Sequence, residues 1–147
     1  ESLAMWGDKF PCGLVVGVDI NIRPLLHFCI LLWRLGAFRH NNIRLLQWDA
    51  ADPKFARDVV NQFGRFNIIV DDASHTAKDQ ISSYESLFPF VLSNGGVYIV
   101  EDVWPSAEGN ITVAYFLTLA DRLTSGGYSR VASVEFKRHA IMIIKEW

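Results

Sequence analysis

The stretch Asn67-Ile68-Ile69-Val70-Asp71-Asp72-Ala73-Ser74-His75 decides how the rest of the chain is read. Asn67 to Val70 is a short, mostly apolar run that reads as a strand. Two carboxylates close it. Successive strand residues point to opposite faces, so Asp71 and Asp72 are expected to serve different partners. Adjacent carboxylates repel each other unless a cation or hydrogen-bond donors neutralise them. Thr76 with Asp79 then reads as a variant capping box, and Ile81, Tyr84, Phe88 and Val91 form the apolar stripe of the helix behind it.

The same alternation runs outward in both directions. Leu14-Val15-Val16-Gly17-Val18 is a continuous apolar run ending in Asp19, as expected of a strand buried on both faces. The stretch from Leu25 to Phe38 has helical length, and Ile43-Arg44-Leu45-Leu46 is a second strand ending near Trp48-Asp49. Asp52-Pro53 reads as an N-cap with proline at the first helical position, and Phe55, Val59 and Phe63 form a stripe closed by Gly64. Asn94-Gly95-Gly96 is expected to end the central helix and open the strand Val97-Tyr98-Ile99-Val100, which runs into Glu101-Asp102. A helix fits from Ile111 to Thr124, stopped by Gly126-Gly127. Strands from Val131 to Lys137 and from Ala140 to Lys145 are joined too tightly for a crossover, so they must be antiparallel. This order predicts one α/β domain over residues 1–147, a Rossmann-like three-layer sandwich with a mostly parallel sheet and a C-terminal antiparallel hairpin.

Composition narrows the classes. Of 147 residues, 50% are apolar and 20% charged, which excludes a disordered chain. A formal net charge of −2 offers no basic excess to displace counterions from a nucleic-acid backbone. The apolar stretch from Leu25 to Phe38 falls short of the ~20 residues that span a bilayer, and the mixed N-terminus does not read as a signal peptide. Cys12 and Cys29 form no disulfide framework, so a reduced, cytoplasmic setting is expected. The Leu25 to Phe38 stretch is apolar nearly all round. A large apolar surface seldom lacks a partner, so self-association into a homo-oligomer is expected through it.

Ligands of such sheets bind beyond the carboxyl ends of the strands, and here those ends carry Asp19, Asp49, Asp71-Asp72 and Glu101-Asp102. Asp19 is placed to accept hydrogen bonds from a ribose diol, or else to cap the next helix. Asp49 can accept from an adenine amino group with the Trp48 ring beside the base, and Asp71 is expected to face the cofactor. Asp72 and Asp102 are candidate cation ligands, and carboxylate oxygens suit Mg²⁺ rather than zinc. His75 can overhang the same crevice and take a proton from a hydroxyl.

At this point the chain resembles a known group. Asn67 to His75, Leu87-Phe88-Pro89, Gly95-Gly96-Val97-Tyr98 and Val100-Glu101-Asp102, with Ser2-Leu3-Ala4-Met5-Trp6 and Gly17-Val18-Asp19-Ile20, look like class I S-adenosylmethionine (SAM)-dependent methyltransferases. Among them the chain is most similar to the metal-dependent macrolide-sugar O-methyltransferases and their cephalosporin-hydroxylase-like relatives. The resemblance implies methyl transfer from SAM to a hydroxyl of a sugar or other small molecule. Mg²⁺ would be held partly by Asp72 and Asp102, with His75 as base and Asp19 and Asp49 on the ribose and adenine. It also implies a further metal carboxylate that the motif does not place. In that pattern the first strand and its glycine-rich loop precede Glu1, and their absence would leave two strand edges without a partner. An NAD-linked oxidoreductase on a similar sheet, and a non-catalytic remnant, are the competing expectations.

Overall fold

The computed structural model describes residues 2–34, 38, 39, 41–50, 52, 54–126 and 130–147. Its backbone falls into two compact units, Glu1–Ala50 and Ala51–Trp147. Among the described residues there are five helices and six strands, mixed α/β as expected.

In the first unit, α1 (Ser2–Lys9) precedes β1 (Val15–Asp19), α2 (Arg23–Arg34) and β2 (Ile43–Gln47). β1 and β2 pair in parallel, with Val15 opposite Ile43 and Asp19 opposite Gln47. α1 lies close on β1 because Gly17 has no side chain: a Cβ there would sit 2.9 Å from the Leu3 side chain. The Asn42 amide ties the unit together, donating to the carbonyls of Gly7, Phe10 and Gly13 at 2.8–3.1 Å. Two expectations change. β1 is half-buried rather than enclosed, since its only strand partner among the described residues is β2. α2 begins at Arg23 and is described only to Arg34; residues 35–37 lie outside the described set, and Phe38 has a left-handed φ of 58° that no helix tolerates.

The second unit holds α3 (Phe55–Phe63), β3 (Phe66–Asp71), α4 (Ala77–Phe90), β4 (Leu92–Val100), α5 (Ala107–Thr124), β5 (Val131–Phe136) and β6 (Ile141–Lys145). Its sheet has the order β3-β4-β6-β5. β3 and β4 are parallel, and the antiparallel pairings come from the C-terminal hairpin, where β6 inserts between β4 and β5. Thr76 caps α4 as the sequence predicts, its hydroxyl accepting from the Asp79 N–H.

Three boundaries differ from expectation, each for a local reason. α3 starts at Phe55, because the Asp52 carboxylate accepts from the Lys54 N–H and forms an Asx-turn instead of an N-cap. Asn94-Gly95-Gly96 does not end α4. The helix stops at Phe90, and these residues form an irregular stretch inside β4, where the pairing register with β3 shifts. Gly95 takes a φ of 71° there while its N–H donates to the Glu146 carbonyl. α5 opens at Ala107, capped by the Ser106 hydroxyl on the Gly109 N–H, one turn earlier than the apolar stripe suggests.

The core of this unit is aromatic. Tyr84 of α4 meets Phe88, Tyr98, Phe116 and Tyr115 with ring centroids 4.8–6.1 Å apart, mostly edge to face. The Tyr98 hydroxyl donates to Asp71 Oδ2 at 2.9 Å within this interior. Burial pushes the Asp71 carboxyl up, and the Tyr98 hydrogen bond opposes that shift. Tyr98→Phe is expected to cost about 1–3 kcal/mol, because it leaves a buried carboxylate with only the long 3.4 Å hydrogen bond from the Ala73 N–H. Asp71→Asn should cost less, since an amide oxygen still accepts from Tyr98 without a buried charge. Urea unfolding of both variants checks the order.

Candidate functional site

The parallel pairing of β3 and β4 brings two chain segments to one end of the sheet. Asp71 lies opposite Val100, and one step on the Glu101 N–H donates to the Asp71 carbonyl at 2.9 Å. Asp72 and Asp102 follow directly. His75 reaches the same place from the short turn before α4. One ligand atom from each of Asp72, His75 and Asp102 lies within 4.8 Å of the other two, and all three residues are exposed. His75 Nε2 stands 3.8 Å from Asp102 Oδ2.

Two residues of this arrangement have a strained backbone. His75 and Asp102 have φ of 56° and 54°, in the left-handed region that costs non-glycine residues roughly 1–3 kcal/mol. Bonds to the neighbouring residues keep each of them there. The Thr76 cap follows His75, and Glu108 of α5 accepts from the Ala77 N–H at 2.8 Å. Around Asp102, the Val103 N–H donates to the His139 carbonyl and the Trp104 N–H to the Asp102 carbonyl. Gln80, buried in α4, donates to the Glu101 carbonyl at 3.2 Å and accepts from the buried Thr112 hydroxyl at 2.8 Å.

Glu101 is the residue the motif reading left out. It is half-buried, and burial followed by the charges of Asp72 and Asp102 raises its carboxyl above the usual range. Three carboxylates and an imidazole thus share one strand end, and their mutual repulsion is the feature a hard cation would relieve. Glu101→Gln is expected to weaken Mn²⁺ binding about tenfold, roughly 1.4 kcal/mol, while leaving the metal-free protein as stable as before or more so. Calorimetric titration and thermal unfolding without metal check both halves. The sequence held one clue: Glu101 precedes Asp102 as Asp71 precedes Asp72.

Asp71 is only 7% exposed and its carboxylate faces Tyr98 in the interior. The strand's alternation sends Asp72 outward and Asp71 inward. Asp19, Trp48 and Asp49 gather at the carboxyl ends of β1 and β2 in the first unit, where the Trp48 N–H donates to the Asp19 carbonyl at 3.0 Å. One Asp19 oxygen accepts from the Asn21 N–H at 2.7 Å and shapes the turn into α2.

Comparison with known proteins adds three findings. No protein-family model matches the chain. By sequence it is 33% identical over 134 residues to the 8-demethyl-8-(2-methoxy-α-L-rhamnosyl)-tetracenomycin-C 3'-O-methyltransferase of Streptomyces olivaceus, across 83% of this chain and 31% of that protein. It is 36% identical over 115 residues to the L-olivosyl-oleandolide 3-O-methyltransferase of Streptomyces antibioticus, across 74% of this chain and 26% of that protein. The chain therefore spans about a quarter to a third of the length of the curated relatives it matches. By structure it superposes on the MycE methyltransferase solved with Mg, SAH and mycinamycin VI, with a TM-score of 0.78 at 22% identity, over 99% of this chain and 39% of that one. The fibrillarin pre-rRNA processing protein of Methanococcus jannaschii follows at a TM-score of 0.57 and 15% identity, over 92% of this chain and 56% of its own.

Proposed function

The chain has the fold of class I SAM-dependent methyltransferases and is a sequence relative of sugar O-methyltransferases from polyketide and macrolide pathways, and from this premise we propose that it takes part in methyl transfer from SAM to a hydroxyl of a sugar-bearing small molecule. The observation that carries the reading is the approach of Asp72, His75 and Asp102 to within 4.8 Å of one another. Residues 1–147 are taken as part of one methyltransferase domain, which the superposition over 99% of the chain supports.

Asp72 and Asp102, with Glu101 behind them, would hold a divalent cation of the Mg²⁺ kind, since the donors are hard oxygens around a partly open position. When bound, that cation supplies Lewis-acid acidification of the acceptor hydroxyl, and SAM supplies an electrophilic methyl group. His75 takes the hydroxyl proton on its imidazole, and Asp102 beside it steadies the charge so formed. Asp19 holds the ribose hydroxyls, and Trp48 with Asp49 the adenine. Two free cysteines fit a reducing cytoplasm. No described helix is long and apolar enough to cross a membrane.

Calorimetric titration with SAM, Mg²⁺ and NAD, followed by methyl transfer from labelled SAM to a rhamnosyl acceptor, tests the reading. Binding of SAM and Mg²⁺ is the expected result. Binding of NAD in place of SAM would move the chain to the oxidoreductases, and silence with all three would mark a non-catalytic remnant.

The exposed face of α2 suggests self-association. Leu26, Phe28, Ile30, Leu31 and Trp33 all stand in solvent, whereas Leu25 and Cys29 turn partly inward. Sedimentation at micromolar concentration is expected to give a dimer or larger species, and Ile30→Glu with Trp33→Glu a monomer.

A further inference from the structure

The hairpin turn between β5 and β6 rises at the same end of the sheet as Glu101 and Asp102, because Ile141, the first residue of β6, pairs with Val100, the last of β4. Between this turn and α5 lies a groove of about 300 Å³. Its walls are Val113 and Leu117 of α5, Phe136 of β5 and Ile141 of β6, and Trp104 stands at its head, two residues beyond Asp102. Lys137 and Arg138 line it as well; the Lys137 ammonium is paired with Glu135 at 2.9 Å, whereas Arg138 has no acidic partner among the described residues.

Trp104 is about half exposed yet fixed from several sides. Its N–H donates to the Asp102 carbonyl at 3.0 Å. Its carbonyl accepts from the Ser106 hydroxyl at 3.3 Å and lies so close to Gly109 that a Cβ there would collide with it. Its indole stacks on His139 with ring centroids 3.8 Å apart, and His139 Nδ1 makes no hydrogen bond among the described residues. The imidazole acts as a flat backing for the indole. An exposed aromatic ring that loses little freedom when covered is the usual form of a binding anchor.

We propose that this groove is an acceptor subsite, seating a flat ring system with carbonyl or phenolate oxygens against Trp104 while the hydroxyl to be methylated lies at His75 and Asp102. The occupant follows from the lining: an indole face and aliphatic walls select a flat apolar body, and Arg138, which has no acidic partner among the described residues, selects an oxygen-bearing edge. The proposal rests on the methyltransferase reading above.

Nuclear magnetic resonance on the full chain tests it, with the Trp104 indole N–H assigned by its loss in Trp104→Phe. 2-Naphthoate is expected to shift that signal and the methyl signals of Val113 and Leu117. Its affinity should fall about fivefold in Arg138→Gln and become unmeasurable in Trp104→Ala. Methyl α-L-rhamnoside and 2-naphthylmethylammonium are expected to leave the indole signal in place. An unmoved indole with naphthoate, or an equal shift with the rhamnoside or the ammonium compound, overturns the proposal. Added Mn²⁺ separates its failure from that of the reading beneath it. Mn²⁺ that broadens Asp72 and Asp102 while naphthoate stays out of the groove defeats the subsite alone. Naphthoate seated in the groove with no Mn²⁺ effect at those aspartates defeats the methyltransferase reading, and the assignment to an acceptor with it.

Discussion

Asp102→Ala and Asp72→Ala are each expected to abolish metal-dependent methyl transfer and to lower Mn²⁺ affinity by ~100-fold or more, while the protein stays folded. Each change removes one of the two carboxylates in a cluster whose ligand atoms lie within 4.8 Å of one another, so the cation loses a hard oxygen ligand and a negative charge at once. Asp102 needs a further control because its φ is 54°. Alanine in that conformation adds strain, whereas asparagine tolerates it well. Asp102→Asn therefore removes the charge with the backbone undisturbed, and it should lose nearly as much affinity as alanine. Full retention of Mn²⁺ binding and turnover in Asp102→Asn would remove the proposed cation site. Calorimetry for the metal and a labelled-methyl assay read the two effects separately.

Lys145→Met is expected to destabilise the second unit by about 3 kcal/mol, lowering its midpoint of thermal unfolding by roughly 10 °C. Lys145 is 2% exposed, and its Nζ donates to the carbonyls of Phe88, Pro89 and Leu92 at 3.0, 3.0 and 2.7 Å. Those carbonyls lie where α4 ends and β4 begins, beyond the reach of intrahelical donors. One ammonium thus caps a helix C-terminus from the last strand of the sheet. Methionine keeps the stem and its packing but leaves three buried acceptors short of a donor. A midpoint within about 2 °C of the parent would show that water replaces the ammonium there. Cation binding at Asp72 and Asp102 should survive in the folded fraction, which separates this effect from the first.

Much of this was legible because it is local. The Thr76 cap needs only a hydroxyl three residues before an amide, and the apolar stripe of α4 follows from helical period. The outward and inward turn of Asp72 and Asp71 is the alternation of a strand. Yet the partner inside, the Tyr98 hydroxyl, comes from a neighbouring strand 27 residues away, so the fate of Asp71 could not be read from its own segment. Asn94-Gly95-Gly96 misled for a related reason. Its glycines carry the helix-stop signal, but pairing with β3 and with the C-terminal residues makes them an irregular part of β4.

The sequence by itself determined the order of elements, the acids at the strand ends and the closeness of Asp72 to His75, since each follows from the period and chemistry of a few successive residues. Only the tertiary structure decided that Asp102 and Glu101 join them, that Asp71 does not, and that Trp104 stands over His139 at the same end. Those outcomes depend on parallel pairing of β3 with β4 and the insertion of β6 beside β4, and strand pairing is settled by which surfaces bury each other across the fold.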